Sequence, residues 1–191
     1  MNSKKWIEKI RTEWNMRIPE LPNNYEAILI HQDRGMLMAK LLWEEWTELK
    51  TAKGDLDAGI EPIADALGDL SYLLYGTVAQ YGFSNEWDNC EEGFDFDIPD
   101  TINELMMCIR ANDLKGIRKE LKSLELLINV EANSYGLEGY MDRIIDAVHT
   151  SNLSKLCDGE LLMRDDGKIL KNKETFKEPN FNFLADLKLS A

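Results

Sequence analysis

Three glutamates, Glu44, Glu45 and Glu48, stand among leucines and tryptophans in the segment LLWEEWTELK. Residues three and four apart share one face of a helix, so the apolar stripe that runs through Leu41 continues into Glu45 and Glu48. A run of charged residues usually lies on a solvated helix face, which is the simplest explanation for these glutamates taken alone. Carboxylates on an inner face would instead indicate a binding site for a cation.

A second pair of carboxylates weakens the solvated-face explanation. Asp65 and Asp69 are one helical turn apart in IEPIADALGDLSYLLYGTVAQY, a segment that is apolar on most sides and contains no lysine or arginine. An ionised carboxylate in an apolar setting costs several kcal/mol unless its pKa rises or a cation binds to it. Clustered carboxylate oxygens are the ligands that Mg²⁺ and Mn²⁺ prefer. Two such clusters on consecutive helices therefore predict a divalent-metal site.

Helical periodicity covers most of the chain and predicts an all-α fold. Residues 1–150 form the predicted helical domain, with an insert at about 84–135, and residues 151–191 form an irregular tail. In the tail, Asp166 and Gly167 between two apolar runs predict a small hairpin. We expect about six helices: one beginning at Ser3 and ending before Pro19, one from about Tyr25 to KGDLDAG that is loosened at Gly35, one over 60–81 with Gly82 as its C-cap, one begun by a capping box of Thr101 and Glu104, one capped by Asp113, and one that carries Met141 and Val148.

Composition excludes several classes of function. The net charge of −13 argues against a nucleic-acid partner, because such proteins concentrate Lys and Arg on one face. The three cysteines are far apart without C-x-x-C spacing, which fits a reducing compartment. The N-terminus MNSKKWIEKI lacks the apolar core of a signal peptide, and we expect a cytoplasmic protein without a membrane segment. His31 and His149 are too few for a histidine-rich zinc centre and are expected to be structural.

Two helical segments carry a family resemblance: LLWEEWTELKTA and IADALGDLSYLLYGTVAQYG. Together they resemble the E-E-x-x-E and D-x-x-x-D region of the all-α nucleotide pyrophosphohydrolases, the superfamily of MazG-like and phosphoribosyl-ATP pyrophosphohydrolase-like proteins. In the tail, VHTSNLSKL and DGKILK are similar to the V-H-x-S-N-M-S-K and D-G-K-x-x-K stretches of a branch common in bacteria and phages. The resemblance covers about residues 36–82 and 148–181. The order and joint presence of these motifs make it fairly specific.

The resemblance implies an antiparallel helical bundle that is completed by dimerisation, as a dimer or a dimer of dimers. It also implies Mg²⁺ bound on the acidic helices, with Mn²⁺ as a substitute. Members hydrolyse nucleoside triphosphates between the α and β phosphates, which gives a monophosphate and pyrophosphate. By position, Glu44, Glu48 and Asp69 resemble the metal ligands. Glu45 resembles the carboxylate that orients or deprotonates the attacking water.

The second helix departs from the family pattern. Many members read E-x-x-D, whereas in this chain Ala66 stands three residues before Asp69. The nearest acid is Asp65, one turn before Asp69, so Asp65 is an additional candidate metal ligand. The departure leaves both the ligand count and the number of bound ions open.

The tail and two tryptophans supply further candidate site residues, and each has both a functional and a structural explanation. Asn152, Lys155 and Lys168 match polar and basic positions of the family, where they would bind phosphate or close over the nucleotide. A solvated, mobile arm explains them equally well. Trp43 and Trp46 flank the acidic triplet and are able to stack on a base, although packing between helices is the commoner role for tryptophan.

The expected function is therefore Mg²⁺-dependent pyrophosphohydrolysis of a nucleoside triphosphate. A deoxynucleotide such as dUTP or dGTP is the expected substrate, in a bacterial cytoplasm or in host cytoplasm if the chain is phage-encoded. One alternative within the class is a phosphoribosyl-ATP pyrophosphohydrolase, whose members are usually compact and lack this tail. An alternative of another class is an acidic helical interaction protein without turnover. Charge dispersed over the surface would favour that alternative, whereas carboxylates buried between two helices would favour the enzyme.

Overall fold

The computed structural model describes residues 2–13, 26–85, 87, 97–156, 169–185 and 187. The predicted all-α fold is confirmed, since the regular elements in these ranges are helical. The Asp166-Gly167 hairpin lies outside the described residues, and dimerisation stays a prediction. The described residues form six α-helices: α1 Ser3–Glu13, α2 Gln32–Gly54, α3 Glu61–Gln80, α4 Ile98–Ala111, α5 Leu114–Ser134 and α6 Met141–Leu153.

Helix α3 is the centre of the bundle. It packs against α1, α2, α5 and α6, and its residues are buried on most sides, as its nearly uniform apolar sequence predicts. Pro62 fits in its first turn, where the missing N–H has no helical partner. Gly82 follows the helix with a φ of 73°, the left-handed conformation that glycine adopts most readily. None of the helices among the described residues is long and apolar enough to cross a membrane.

Two predicted helix starts are wrong, and local contacts explain both. Helix α2 begins at Gln32 rather than near Tyr25, and it continues through Gly35 without a break. The preceding segment is held in a non-helical conformation because Ile28 N donates to Tyr81 O at 3.0 Å. Helix α4 begins at Ile98, three residues before Thr101, because Asp97 provides its cap.

The cap of α4 uses a carboxylate where the sequence suggested a hydroxyl. Asp97 Oδ1 accepts from Asp100 N at 3.0 Å, and Pro99 is tolerated in the first turn. Thr101 lies inside the helix, where its hydroxyl donates to Asp97 O at 2.8 Å. The expected cap by Asp113 is confirmed, since its side chain accepts from Gly116 N at 3.0 Å.

Helices α2 and α6 run antiparallel to α3; for α6, Tyr75 late in α3 interacts electrostatically with Asp142 at the start of α6, whereas Asp69 interacts with Lys155 directly after α6. Arg34, near the start of α2, donates through Nε to Oε1 of Gln80 at the end of α3, at 3.0 Å. On the opposite side, the Tyr72 ring in the second half of α3 lies 5.8 Å from the His149 ring, while Gly68 contacts Val148 and Ile144 of α6. A Cβ at position 68 would lie 2.7 Å from Val148 Cγ2 and 2.9 Å from Ile144 Cγ2. Glycine at this position therefore allows α3 and α6 to approach closely.

We expect Gly68→Ala to lower the free energy of unfolding by about 1–3 kcal/mol, because the added methyl overpacks the α3–α6 contact. Gly54→Ala is the matched control, since a Cβ there meets no atom within 4 Å. In that helix the change is expected to be neutral or stabilising by up to about 1 kcal/mol. Urea unfolding of both variants measures the difference, and equal stabilities would show that α3 and α6 are not in close contact.

Candidate active site

The three glutamates of α2 lie along the edge of its buried face. Leu42 and Leu49 are fully buried, whereas Glu44 and Glu48 are exposed and Glu45 is partly buried. The stripe that the sequence places in the core therefore reaches the surface at Glu48. Of the three, Glu48 is near enough to α3 to act on the charges of Asp65 and Asp69.

The two aspartates of α3 are partly buried and lie close to Glu48. The pKa of Asp69 is raised from 3.8 to about 7, first by burial and then by the negative charge of Asp65. Burial also raises the pKa of Asp65, and the charges of Glu178 and Glu48 add to the effect. Oδ1 of Asp65 is shielded from solvent and has no hydrogen-bond partner among the described residues. The folded protein thus holds acidic oxygens that favour a cation or a proton.

Helix α6 brings a cation to the same place. Because α6 runs antiparallel to α3, its last turn lies beside the first half of α3. Lys155 follows this turn, donates to Oδ1 of Asn152 and lowers the pKa of both Asp65 and Asp69. Asn152 is buried in the same turn. Of the three predicted tail residues, the structure thus places Lys155 near the aspartates, with Asn152 hydrogen-bonded to it.

The tail supplies two further charged residues that the sequence analysis did not select. Lys171 lowers the pKa of both aspartates, and Glu178 raises that of Asp65. The Lys171 Nζ atom lies 3.5 Å from Glu178 Oε1 and 4.3 Å from the centre of the Phe176 ring. Lys171 is the second lysine of DGKILK and could have been found from that motif. Glu178 has no such signal, because its position depends on the path of the tail.

A hydrogen bond fixes this path. Lys177 N donates to Oγ of Ser154 at 2.8 Å, directly after the end of α6. Further along, Phe181 and Leu184 are buried against the bundle. The described tail is therefore anchored to the bundle at Lys177, Phe181 and Leu184, while many of its other side chains are exposed. Lys168 lies outside the described residues, so its predicted role stays a prediction.

The tryptophans of α2 have different environments. Trp43 is exposed to 37% of its surface, so it does not pack between helices. Trp46 packs against the core, and the Nζ atom of Lys53 lies 5.6 Å from the centre of its ring. Of the two, only Trp43 presents a face that a base could reach directly.

The candidate side chains have the chemistry of divalent-ion ligands, although they are not grouped as a ligand set in this structure. All five candidates offer carboxylate oxygens, the donors of Mg²⁺ sites, and one of these oxygens is buried without a partner. Among the described residues, however, no three His, Cys, Asp or Glu side chains are grouped closely enough to hold a metal ion. A complete ligand set would therefore require movement of candidate side chains, of which Glu44 and Glu48 are exposed.

The candidate site consists of carboxylates on two antiparallel helices of an all-α bundle. Residues 10–95 match the family model of phosphoribosyl-ATP pyrophosphohydrolase. The predicted resemblance to the MazG-like all-α superfamily is therefore confirmed over these residues. The family implies a hydrolase that acts on the pyrophosphate bond of a nucleotide. No curated protein and no solved structure matches the chain.

The matched segment includes α2 and α3 with all five candidate carboxylates, and it ends before α6 and the tail. The acidic half of the candidate site therefore lies inside the matched segment. Asn152, Lys155 and Lys171 are connected to it through the contacts of the structure.

Replacement of Asp69 by asparagine should stabilise the protein in the absence of divalent ions. The pKa of Asp69 is higher in the folded than in the unfolded protein, so ionisation costs folding stability, increasingly as the pH rises from about 4 to about 7. A pKa difference of one corresponds to about 1.4 kcal/mol, so we expect an increase of about 1–4 kcal/mol at pH 8.

Urea unfolding in EDTA at pH 5 and pH 8 tests this expectation. The stabilisation should be larger at pH 8, and Glu44→Gln, which changes an exposed carboxylate, should have little effect at either pH. Loss of stability in Asp69→Asn at pH 8 would contradict the burial of an unfavourable charge.

Proposed function

We propose that the protein is a Mg²⁺-dependent nucleoside triphosphate pyrophosphohydrolase. It converts a nucleoside triphosphate and water into the monophosphate and pyrophosphate, with a deoxynucleotide such as dUTP or dGTP as the substrate. The observation that carries the proposal is the pair of partly buried aspartates on α3, with Lys155 beside them. A polyanionic substrate needs bridging cations at such an acidic site, and lysines at its border for the remaining phosphates.

Glu44, Glu48 and Asp69 are the proposed ligands of the metal, with Asp65 as a fourth. A bound Mg²⁺ would polarise the phosphoryl oxygens and lower the pKa of a water molecule. Mn²⁺ has similar ligand preferences and is expected to replace it. The burial of Asp69 supports this assignment, because a cation would offset the cost of its charge.

Glu45 is the proposed proton acceptor or orienting group for the attacking water. It lies on the face of α2 between the exposed glutamates and the core, and it is partly buried. Lys155 is held near both aspartates and is the proposed phosphate contact, together with Asn152. Lys168 remains a candidate for the same role from the sequence motif alone.

Phosphoribosyl-ATP is a second candidate substrate, which the name of the matching family favours. Both substrates contain an anhydride between α and β phosphates, so the same carboxylates would serve either reaction. Lys155 after α6 and Lys171 in the tail lie outside the matched segment, and they favour a branch with an additional phosphate-binding element. An interaction protein without turnover is less consistent with aspartates whose pKa values are raised by burial.

A substrate panel distinguishes the candidates. The protein is incubated with Mg²⁺ and each common ribo- and deoxynucleoside triphosphate, dUTP, or phosphoribosyl-ATP, and the products are separated by chromatography. We expect monophosphate and pyrophosphate from a deoxynucleotide, without orthophosphate or diphosphate, and no turnover in EDTA. Preferred turnover of phosphoribosyl-ATP would select the second candidate, and no turnover of any substrate would refute both.

Glu45→Gln should separate chemistry from binding. We expect turnover to fall by about 10²–10⁴-fold, the usual contribution of a general base, while Mg²⁺ and nucleotide affinities stay close to wild type. Glu138→Gln, at an exposed position outside the site, is the control and should keep full activity. Calorimetry gives the affinities and chromatography the rates. Near-normal turnover in Glu45→Gln would remove this residue from the reaction.

A further inference from the structure

The facing surfaces of α3 and α6 change from charged to aromatic along their length. On α3, successive turns carry Asp65, Asp69 and Tyr72; on the antiparallel α6, and directly after it, the corresponding order is Lys155, Asn152 and His149. The charged end is the proposed phosphate site. The aromatic end begins one helical turn away, about 5.4 Å along the axis.

Two buried polar atoms at the aromatic end lack a partner. Tyr72 and His149 are exposed to only 6% and 1%, and their rings lie 5.8 Å apart. Tyr72 Oη and His149 Nδ1 are shielded from solvent, and neither has a hydrogen-bond partner among the described residues. Buried polar groups are nearly always paired, and each unpaired one costs about 1–3 kcal/mol. Two such atoms on rings 5.8 Å apart point to a polar ligand group that pairs with both.

The hydrogen-bonding roles of the two atoms follow from their surroundings. His149 Nε2 lies 3.0 Å from Glu13 Oε2, and because a carboxylate only accepts, Nε2 is the donor. Burial lowers the pKa of His149, so the ring is neutral and Nδ1 is an acceptor. Burial raises the pKa of Tyr72, so its hydroxyl keeps its proton and is able to donate. The pair therefore offers one acceptor and one donor.

We propose that Tyr72 and His149 bind the nucleoside part of the substrate, whose phosphates lie at Asp69. The inference rests on the proposed function and adds the position at which base or sugar is recognised. A nucleoside has ring faces for aromatic contact and edges that combine a donor with an acceptor. Its direction in the site follows from charge, since the polyphosphate belongs at the end with the carboxylates and Lys155.

The end of α1 lies next to His149. Glu13, which covers His149 Nε2, is the last residue of α1, and its side chain is 47% exposed. Because both rings are almost fully buried, binding of a ligand requires a local displacement of the side chains packed around them. The alternative occupant is a single buried water that bridges the two atoms, which would make the pair structural.

The test removes only the Tyr72 hydroxyl. Calorimetry with Mg²⁺ present measures binding of pyrophosphate and of dUMP, dTMP, dCMP, dAMP and dGMP to wild type and Tyr72→Phe. We expect affinity for the preferred monophosphate to fall about tenfold, while that for pyrophosphate is unchanged. The ratio of kcat/KM between the best and second-best triphosphates should fall as well.

Tyr75→Phe is the matched control, because its hydroxyl is buried one turn further on but donates to Glu125 Oε1 at 3.0 Å. It should lower the Tm and leave nucleotide selectivity unchanged. Unaltered monophosphate affinity and selectivity in Tyr72→Phe would overturn the proposal. A buried water that bridges the two atoms would then be the remaining explanation. If the wild type hydrolyses triphosphates and Tyr72→Phe behaves like it, only this inference is refuted. If the wild type neither binds nucleotides nor turns them over, the proposed function is refuted as well.

Discussion

The structure depends on the cost of placing two carboxylates in a helix that is otherwise buried. Asp65 and Asp69 have no basic residue on α3 to neutralise them, and burial raises the pKa of both. The compensating charge must come from other elements. In the structure it comes from Lys155 after α6 and Lys171 in the tail, whose charges lower both pKa values. The same demand for positive charge is what would bind a metal ion and, through it, a polyphosphate.

The remainder of the bundle brings these cations to the aspartates. Gly68 lets α6 pack directly on α3, and the antiparallel direction puts the end of α6 next to the aspartates. The bond from Lys177 N to Ser154 then directs the tail back across the same end. Each of these contacts is distant in sequence from the carboxylates, and together they join the matched segment and the residues beyond it in one candidate site.

Much of this could be predicted from sequence, because helical periodicity and the acidic pairs are local patterns. The six helices, the buried α3 and the cap at Asp113 followed from such patterns. The start of α2 did not, because a tertiary hydrogen bond from Ile28 keeps that segment out of the helix. Glu178 was missed for the same reason, since only the folded path of the tail brings it to Asp65. Dimerisation and metal binding need information from outside a single chain.

The most direct measurement of the central claim is the position of a bound ion and nucleotide in a crystal. Crystals would be grown with Mn²⁺ and a triphosphate whose α–β bridge is a non-hydrolysable methylene, and the ion located by anomalous scattering. We predict a manganese peak between the Asp69 carboxylate and the polyphosphate, with Lys155 on the phosphate side. A well-occupied nucleotide bound away from α3, with no anomalous peak at Asp69, would contradict the claim.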